Sequence, residues 1–149
     1  MKGVIYEDDK YEDPLHLLIL LLVYVLVCGA MTLRQRIEKQ LPDIPFVGQT
    51  RSYLGGCEKI QNGRTLFVNG RLLSLGSSLE YILASSNGDE FAFFSKGQLA
   101  GASLGPKSSR MFSSSYFDKN SLPKDIDILE LEQPARMIDH TWNLISNNG

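Results

Sequence analysis

Cys57 follows Gly55-Gly56, and His140 follows Asp139. A thiol, an imidazole and a carboxylate are the groups of nucleophilic catalysis, in which a base activates the sulfur and an acid orients the base. That chemistry needs all three within hydrogen-bond reach, and nothing in the spacing brings Cys57 to His140. The plainer reading is a buried or idle Cys57 and a His140 on the polar face of a helix. Asp125, Asp127, Glu130 and Glu132 form an acidic run. It lacks the glycine and the ligand pattern of a calcium loop, so it reads as a solvated face. Two cysteines and two histidines are too few for a four-thiolate zinc site or a disulfide-stapled scaffold. The glycines between Gly97 and Gly105 lack the Gly-Lys-Ser/Thr ending of a phosphate loop and read as turns and bulges. The sequence thus predicts no catalytic residue, no cofactor, no metal centre and no identifiable small-molecule substrate.

Composition narrows the classes further. A chain of 149 residues allows one modest domain. With 43% hydrophobic and 21% charged residues it is not wholly disordered. Fifteen basic against seventeen acidic side chains, a net charge of −2, argue against a nucleic-acid partner.

The dominant element is the run from Pro14 to Leu33, which carries no Asp, Glu, Lys or Arg. Nineteen residues from Leu15 at ~1.5 Å each cover about 28 Å, close to the hydrocarbon thickness of a bilayer. The run is apolar all round, and a backbone in lipid must satisfy itself, so the spacing predicts a transmembrane helix over 14–33. The acidic flank and the length of the apolar core argue against a cleaved signal peptide. Residues 1–13 form an acidic N-terminal tail. Arg34, Arg36 and Lys39 follow the span, which places the C-terminal part in the cytoplasm and the tail outside. The same three residues are candidates for contact with anionic headgroups. Tyr24 and the small-residue patch Cys28-Gly29-Ala30 are candidates for a partner helix within the membrane.

The remaining chain divides into four zones. Residues 34–46 read as a helix extension and a connector stiffened by Pro42 and Pro45. Residues 47–104 read as an antiparallel β-meander, barrel- or sandwich-like. They carry three Asn-Gly pairs, at 62–63, 69–70 and 87–88, and such pairs favour tight hairpins. In this reading 64–68 pairs with 71–75, 80–85 pairs with 90–95, and Lys96-Gly97 turns into a last strand from Gln98 to Leu104. Phe67, Leu73, Leu83, Phe91 and Phe93 are the core candidates. Residues 105–124 read as a Ser-rich loop whose Phe112, Tyr116 and Phe117 are candidate partner anchors. Residues 125–149 read as a strand or turn and a C-terminal helix carrying Trp142.

The expected fold class is therefore a single-pass transmembrane α-helix followed by a small mainly-β domain with a C-terminal helix. The expected function is a non-enzymatic, membrane-anchored accessory or assembly subunit, with other membrane-protein subunits and the lipid bilayer as partners. The alternatives are a membrane-tethered regulator of a cytosolic partner and a small membrane thiol enzyme using Cys57.

Overall fold

The computed structural model describes residues 1–7, 27–49, 63–76, 81–82, 84, 88–112, 119–131 and 135–138. The chain begins with a strand, β1 (Lys2–Tyr6), where the first zone reads as a tail. Val4, Ile5 and Tyr6 are the β-branched and aromatic types that suit a pleated surface, and all three are buried. Gly3 is required there, because a Cβ would collide with the Phe46 ring of the neighbouring strand.

After β1 come a short hairpin, β2 (Val27–Cys28) and β3 (Met31–Thr32), and helix α1 (Leu33–Gln40). Gly29 turns the hairpin with φ +70°. Thr32 then caps α1: its hydroxyl accepts from the Gln35 N–H, and the Gln35 side chain accepts from the Thr32 N–H. This reciprocal capping box starts a new helix at Leu33. The expected transmembrane helix over 14–33 is corrected here. Its last seven residues are a hairpin and a helix start, and no described helix is long and apolar enough to cross a membrane. Leu33 and Ile37 point into the protein core instead.

Strands β4 (Phe46–Gly48), β5 (Thr65–Asn69), β6 (Leu72–Ser74), β7 (Phe91–Ser95), β8 (Gln98–Leu104), β9 (Asp127–Glu130) and β10 (Arg136–Met137) follow, with a short helix α2 (Pro106–Ser109) after β8. Six of the strands form one sheet in the order β4-β1-β5-β8-β7-β9. β1 pairs in parallel with both β4 and β5, and β7 pairs in parallel with β9. β8 runs against both of its neighbours. β6 pairs with β10 in a separate two-stranded ribbon. The expected mainly-β meander is thus corrected to a mixed α/β sheet.

Two physical reasons account for the difference. First, Asn69-Gly70 does not form a tight hairpin turn: neither residue has positive φ. The Asn69 side-chain carbonyl instead accepts from the Arg71 N–H at 2.9 Å. That Asx-type bond turns the chain out of the sheet, so β5 and β6 do not pair. Second, Tyr81, Ile82 and Ala84, inside the expected strand, are helical and do not pair with β7.

The sheet is covered on both faces. Ile5, Leu66, Val68, Phe91 and Phe93 face one apolar cluster with α1 and β6. Val4, Tyr6, Phe67, Ala92 and Phe94 face another, with Leu99, Leu122 and Ile126. Every residue of β5 is buried as a result. Gln40 joins α1 to β6: its amide donates to the Leu73 carbonyl at 3.1 Å and accepts from the Leu75 N–H at 3.0 Å. These bonds satisfy backbone groups that strand pairing leaves open.

Candidate active site at the carboxyl edge of the sheet

The strand order places a reversal at β1. The chain passes from β1 through α1 to β4 on one side, and later adds β5 on the other. In open α/β sheets, ligands bind in the crevice outside the carboxyl ends of strands at such a switch point. Here that edge holds Tyr6 at the end of β1 and Glu7 after it, Gln49 after β4, Asn69 at the end of β5 and Arg71 just beyond it.

Buried polar groups concentrate at this edge. Glu7 and Gln49 are each 1% exposed, Asn69 is fully buried and Arg71 is 3% exposed. Backbone bonds hold the strand ends in place: the Gln49 N–H donates to the Ile5 carbonyl, and the Gly70 N–H donates to the Tyr6 carbonyl. Tyr6 and Asn69 both fix the start of β8. The Tyr6 hydroxyl donates to the Leu99 carbonyl at 2.9 Å, and the Asn69 amide donates to the same oxygen at 3.1 Å.

Arg71 ties three elements together. Its guanidinium donates to the Ile138 carbonyl at 2.7 Å and to Gln98 Oε1 at 2.9 Å. The Ile138 N–H donates back to the Arg71 carbonyl. Beside it, the Ser95 hydroxyl donates to the Ala135 carbonyl at 3.2 Å. The segment containing residues 135–138 is thereby fastened across the same end of the sheet. Arg71 spends these donors on protein groups, so its described role is to set the edge's shape.

The hairpin β7–β8 rises beside the crevice. Its two-residue tip, Lys96 and Gly97, has φ of +50° and +72°, the left-handed pair that a tight hairpin turn needs. Val68 pairs with Gly101, so the tip extends beyond the end of β5. At the opposite, amino end of β7 and β9 a cavity of about 390 Å³ opens beside Tyr81, Asp89, Phe91, Asp127 and Leu129. It lies away from the switch point.

The sequence after β1 limits how phosphate could be held. Residues 4–28 contain no glycine. A strand-to-helix turn that wraps a pyrophosphate uses glycines so that the backbone can approach closely. This chain offers none between Gly3 and Gly29. Among the described residues no group of three or more His, Cys, Asp or Glu side chains is placed to hold a metal ion.

Of the residues singled out from sequence, the described ones lie elsewhere. Cys28 is in β2, and Gly29 and Ala30 form the exposed turn after it. Phe112 ends a short 3₁₀ turn. Tyr24, Cys57, Tyr116, Phe117 and His140 lie outside the described residues. A partner role for the tyrosine, phenylalanine and small-residue candidates stands as a proposal separate from the carboxyl edge. Arg34, Arg36 and Lys39 are all on α1. Arg34 pairs with Glu38 at 2.8 Å and donates to the Phe46 carbonyl at 3.0 Å, so its charge also works within the fold. Sequence reading passed over Glu7, Gln49, Asn69 and Arg71. The available signal was Gly-Val-Ile-Tyr-Glu at positions 3–7, a strand-forming run that ends on a carboxylate.

The fold is similar to that of a candidate glucose-1-phosphate thymidylyltransferase from Bacillus anthracis, solved in complex with sucrose. The TM-score is 0.62 at 11% identity, over 99% of this chain and 94% of that one. No curated protein matches the sequence. The expectation of a single-pass membrane subunit with a cytoplasmic domain is overturned by this fold and by the structure of residues 27–40, and the expectation of a non-enzymatic chain by a family match over residues 4–149. The family model of sugar nucleotidyl transferases matches residues 4–149, and the chain belongs to that family of enzymes.

Proposed function

We propose that the chain transfers a nucleotidyl group from a nucleoside triphosphate to a sugar phosphate at the carboxyl edge of its sheet. A phosphate oxygen of the sugar phosphate attacks the α-phosphorus. The new P–O bond forms as the α–β bridging bond breaks, and pyrophosphate leaves. The observation that carries this reading is the burial of Glu7, Gln49 and Asn69 at the β1 switch point. A carboxylate only accepts hydrogen bonds, and it repels phosphate. Glu7 therefore suits the hydroxyl-rich part of such a substrate, the ribose or the hexose, while the amides of Gln49 and Asn69 suit neutral polar groups. Family membership and fold support the same assignment.

One observation favours a second reading. The absence of glycine from 4–28 removes the glycine turn that wraps a pyrophosphate after a first strand, which fits a chain that holds a nucleotide sugar by its hydroxyl groups and base without carrying out transfer. Pyrophosphate release separates the two. Each nucleoside triphosphate, as its magnesium complex, is incubated with a panel of sugar 1-phosphates. Sugar-dependent release, falling about tenfold or more in Glu7→Gln as charged hydrogen bonds are lost, supports transfer. Calorimetric binding of a nucleotide sugar without release supports the second reading. Neither release nor binding rejects both.

A further inference from the structure

A nucleotide or a sugar phosphate brings negative charge to this edge, and Arg71 has committed its guanidinium to Ile138 and Gln98. We infer that Lys96, at the tip of the β7–β8 hairpin, is the phosphate-binding cation of the site, resting on the functional reading above. Lys96 sits on the correct edge, because β7 runs in the same direction as β1 and ends at Ser95. It is exposed, and no described carboxylate pairs with it. By register, the tip passes the end of β5 by about three residues, roughly 10 Å at ~3.3 Å per residue. The hairpin therefore forms a wall of the crevice. Neighbouring strands lie ~4.8 Å apart, so the tip stands about two strands, roughly 10 Å, from the β1–β5 junction. Hydroxyl groups seated at Glu7 and phosphate at Lys96 would place one extended ligand across the sheet's end.

Two other described charged residues lie near the end of β7. Lys119 stacks its ammonium over the Phe94 ring at 5.8 Å, and Glu130 pairs in register with Phe94 on the outer strand. Lys96 is also a conformational anomaly. It is the one described non-glycine residue with positive φ, at a turn position where asparagine or glycine fits better. Lysine there costs turn stability, and a cation at the tip is what that residue supplies.

The same feature gives a clean test. Lys96→Asn creates the Asn-Gly pair that this turn type prefers, so the variant removes the charge while keeping or raising the melting temperature. Lys96→Arg keeps the charge. Lys124→Asn, on the segment leading into the amino end of β9, is the control for loss of a distant positive charge. Full-length protein is titrated calorimetrically with inorganic pyrophosphate, with each nucleoside triphosphate as its magnesium complex, and with glucose 1-phosphate. Lys96→Asn should weaken the phosphate ligand it serves by about tenfold, while Lys96→Arg and Lys124→Asn stay within about twofold of wild type. Weakening of triphosphate and pyrophosphate alone assigns Lys96 to the nucleotide's phosphates, and weakening of glucose 1-phosphate alone assigns it to the sugar's. Unchanged binding of all three in a folded Lys96→Asn variant overturns this inference and leaves the functional reading intact. Wild-type protein that binds pyrophosphate through Lys96 but no nucleotide or sugar phosphate supports the cation and rejects the functional reading. Wild-type protein that binds none of the probes rejects both.

Discussion

Arg71 shows how one side chain can set the geometry of a site without touching its ligand. It is 3% exposed, and its hydrogen bonds reach the neighbouring hairpin at Gln98 and the C-terminal segment at Ile138. Removing it leaves a buried carbonyl and a half-buried amide oxygen without those donors. Arg71→Met keeps most of the aliphatic bulk, so the loss is mainly of charged hydrogen bonds, together about 3 kcal/mol. For a chain of this size that lowers the melting temperature by roughly 6–12 °C. Arg71→Lys offers a single ammonium where the guanidinium forks, and should recover less than half of the loss. Thermal unfolding of the two variants checks this, and a shift under 2 °C for Arg71→Met would contradict the clamp. At this scale the sequence was legible for burial and illegible for position. Phe67, Leu73, Phe91 and Phe93 are buried as their types and flanks suggest, while Leu83 lies outside the described residues. Burial follows from apolar surface and pattern. That Tyr6 and Asn69 meet on the Leu99 carbonyl depends on a pairing across 93 and 30 residues, and no local spacing encodes it.

The elements divide in the same way. The β7–β8 hairpin was legible, because Lys96-Gly97 and the flanking aromatic and small residues specify a local turn and two strands that pair across it. The run 14–33 was not, because an all-apolar run has no period that separates a membrane helix from shorter apolar elements. The capping signal Thr32-x-x-Gln35 stands in the sequence at the end of that run. The two readings of Thr32 make opposite predictions. Inside a continuous helix, alanine is the better residue, and Thr32→Ala would stabilise by a few tenths of a kcal/mol. As the cap of α1, Thr32 should cost about 1 kcal/mol when replaced by alanine. Denaturant titration with an unchanged slope gives the sign directly, and a stabilised variant would reject the cap. The strands of the central sheet read as a meander, which the mixed sheet is not, for a related reason. Alternation identifies a sheet with one wet face, whereas β5 is buried on both.

Among the described residues the main sheet has a protected middle and two unequal edges, and function should follow that division. β1, β5 and β8 lie inside the sheet, paired on both sides and covered by apolar clusters above and below. β9 is an edge strand whose Ile128 is 70% exposed. β4, the other edge, is three residues long. A site at the β1–β5 junction therefore rests on the part of the molecule that opens least, while the elements able to move during ligand exchange lie around it. Native-state hydrogen exchange makes this measurable. Amides of Val68 in β5 and Ala102 in β8 should exchange only through global unfolding, with a denaturant dependence equal to that of the whole protein. Amides of β9 should exchange through local opening, with little denaturant dependence. A ligand bound at the carboxyl edge should slow exchange at Gly70 and around Lys96, and leave the β9 amides near the opposite cavity unchanged. Slowing at β9 and at Asp89, with Gly70 unaffected, would move the binding site to the other end of the sheet and reject the assignment made here.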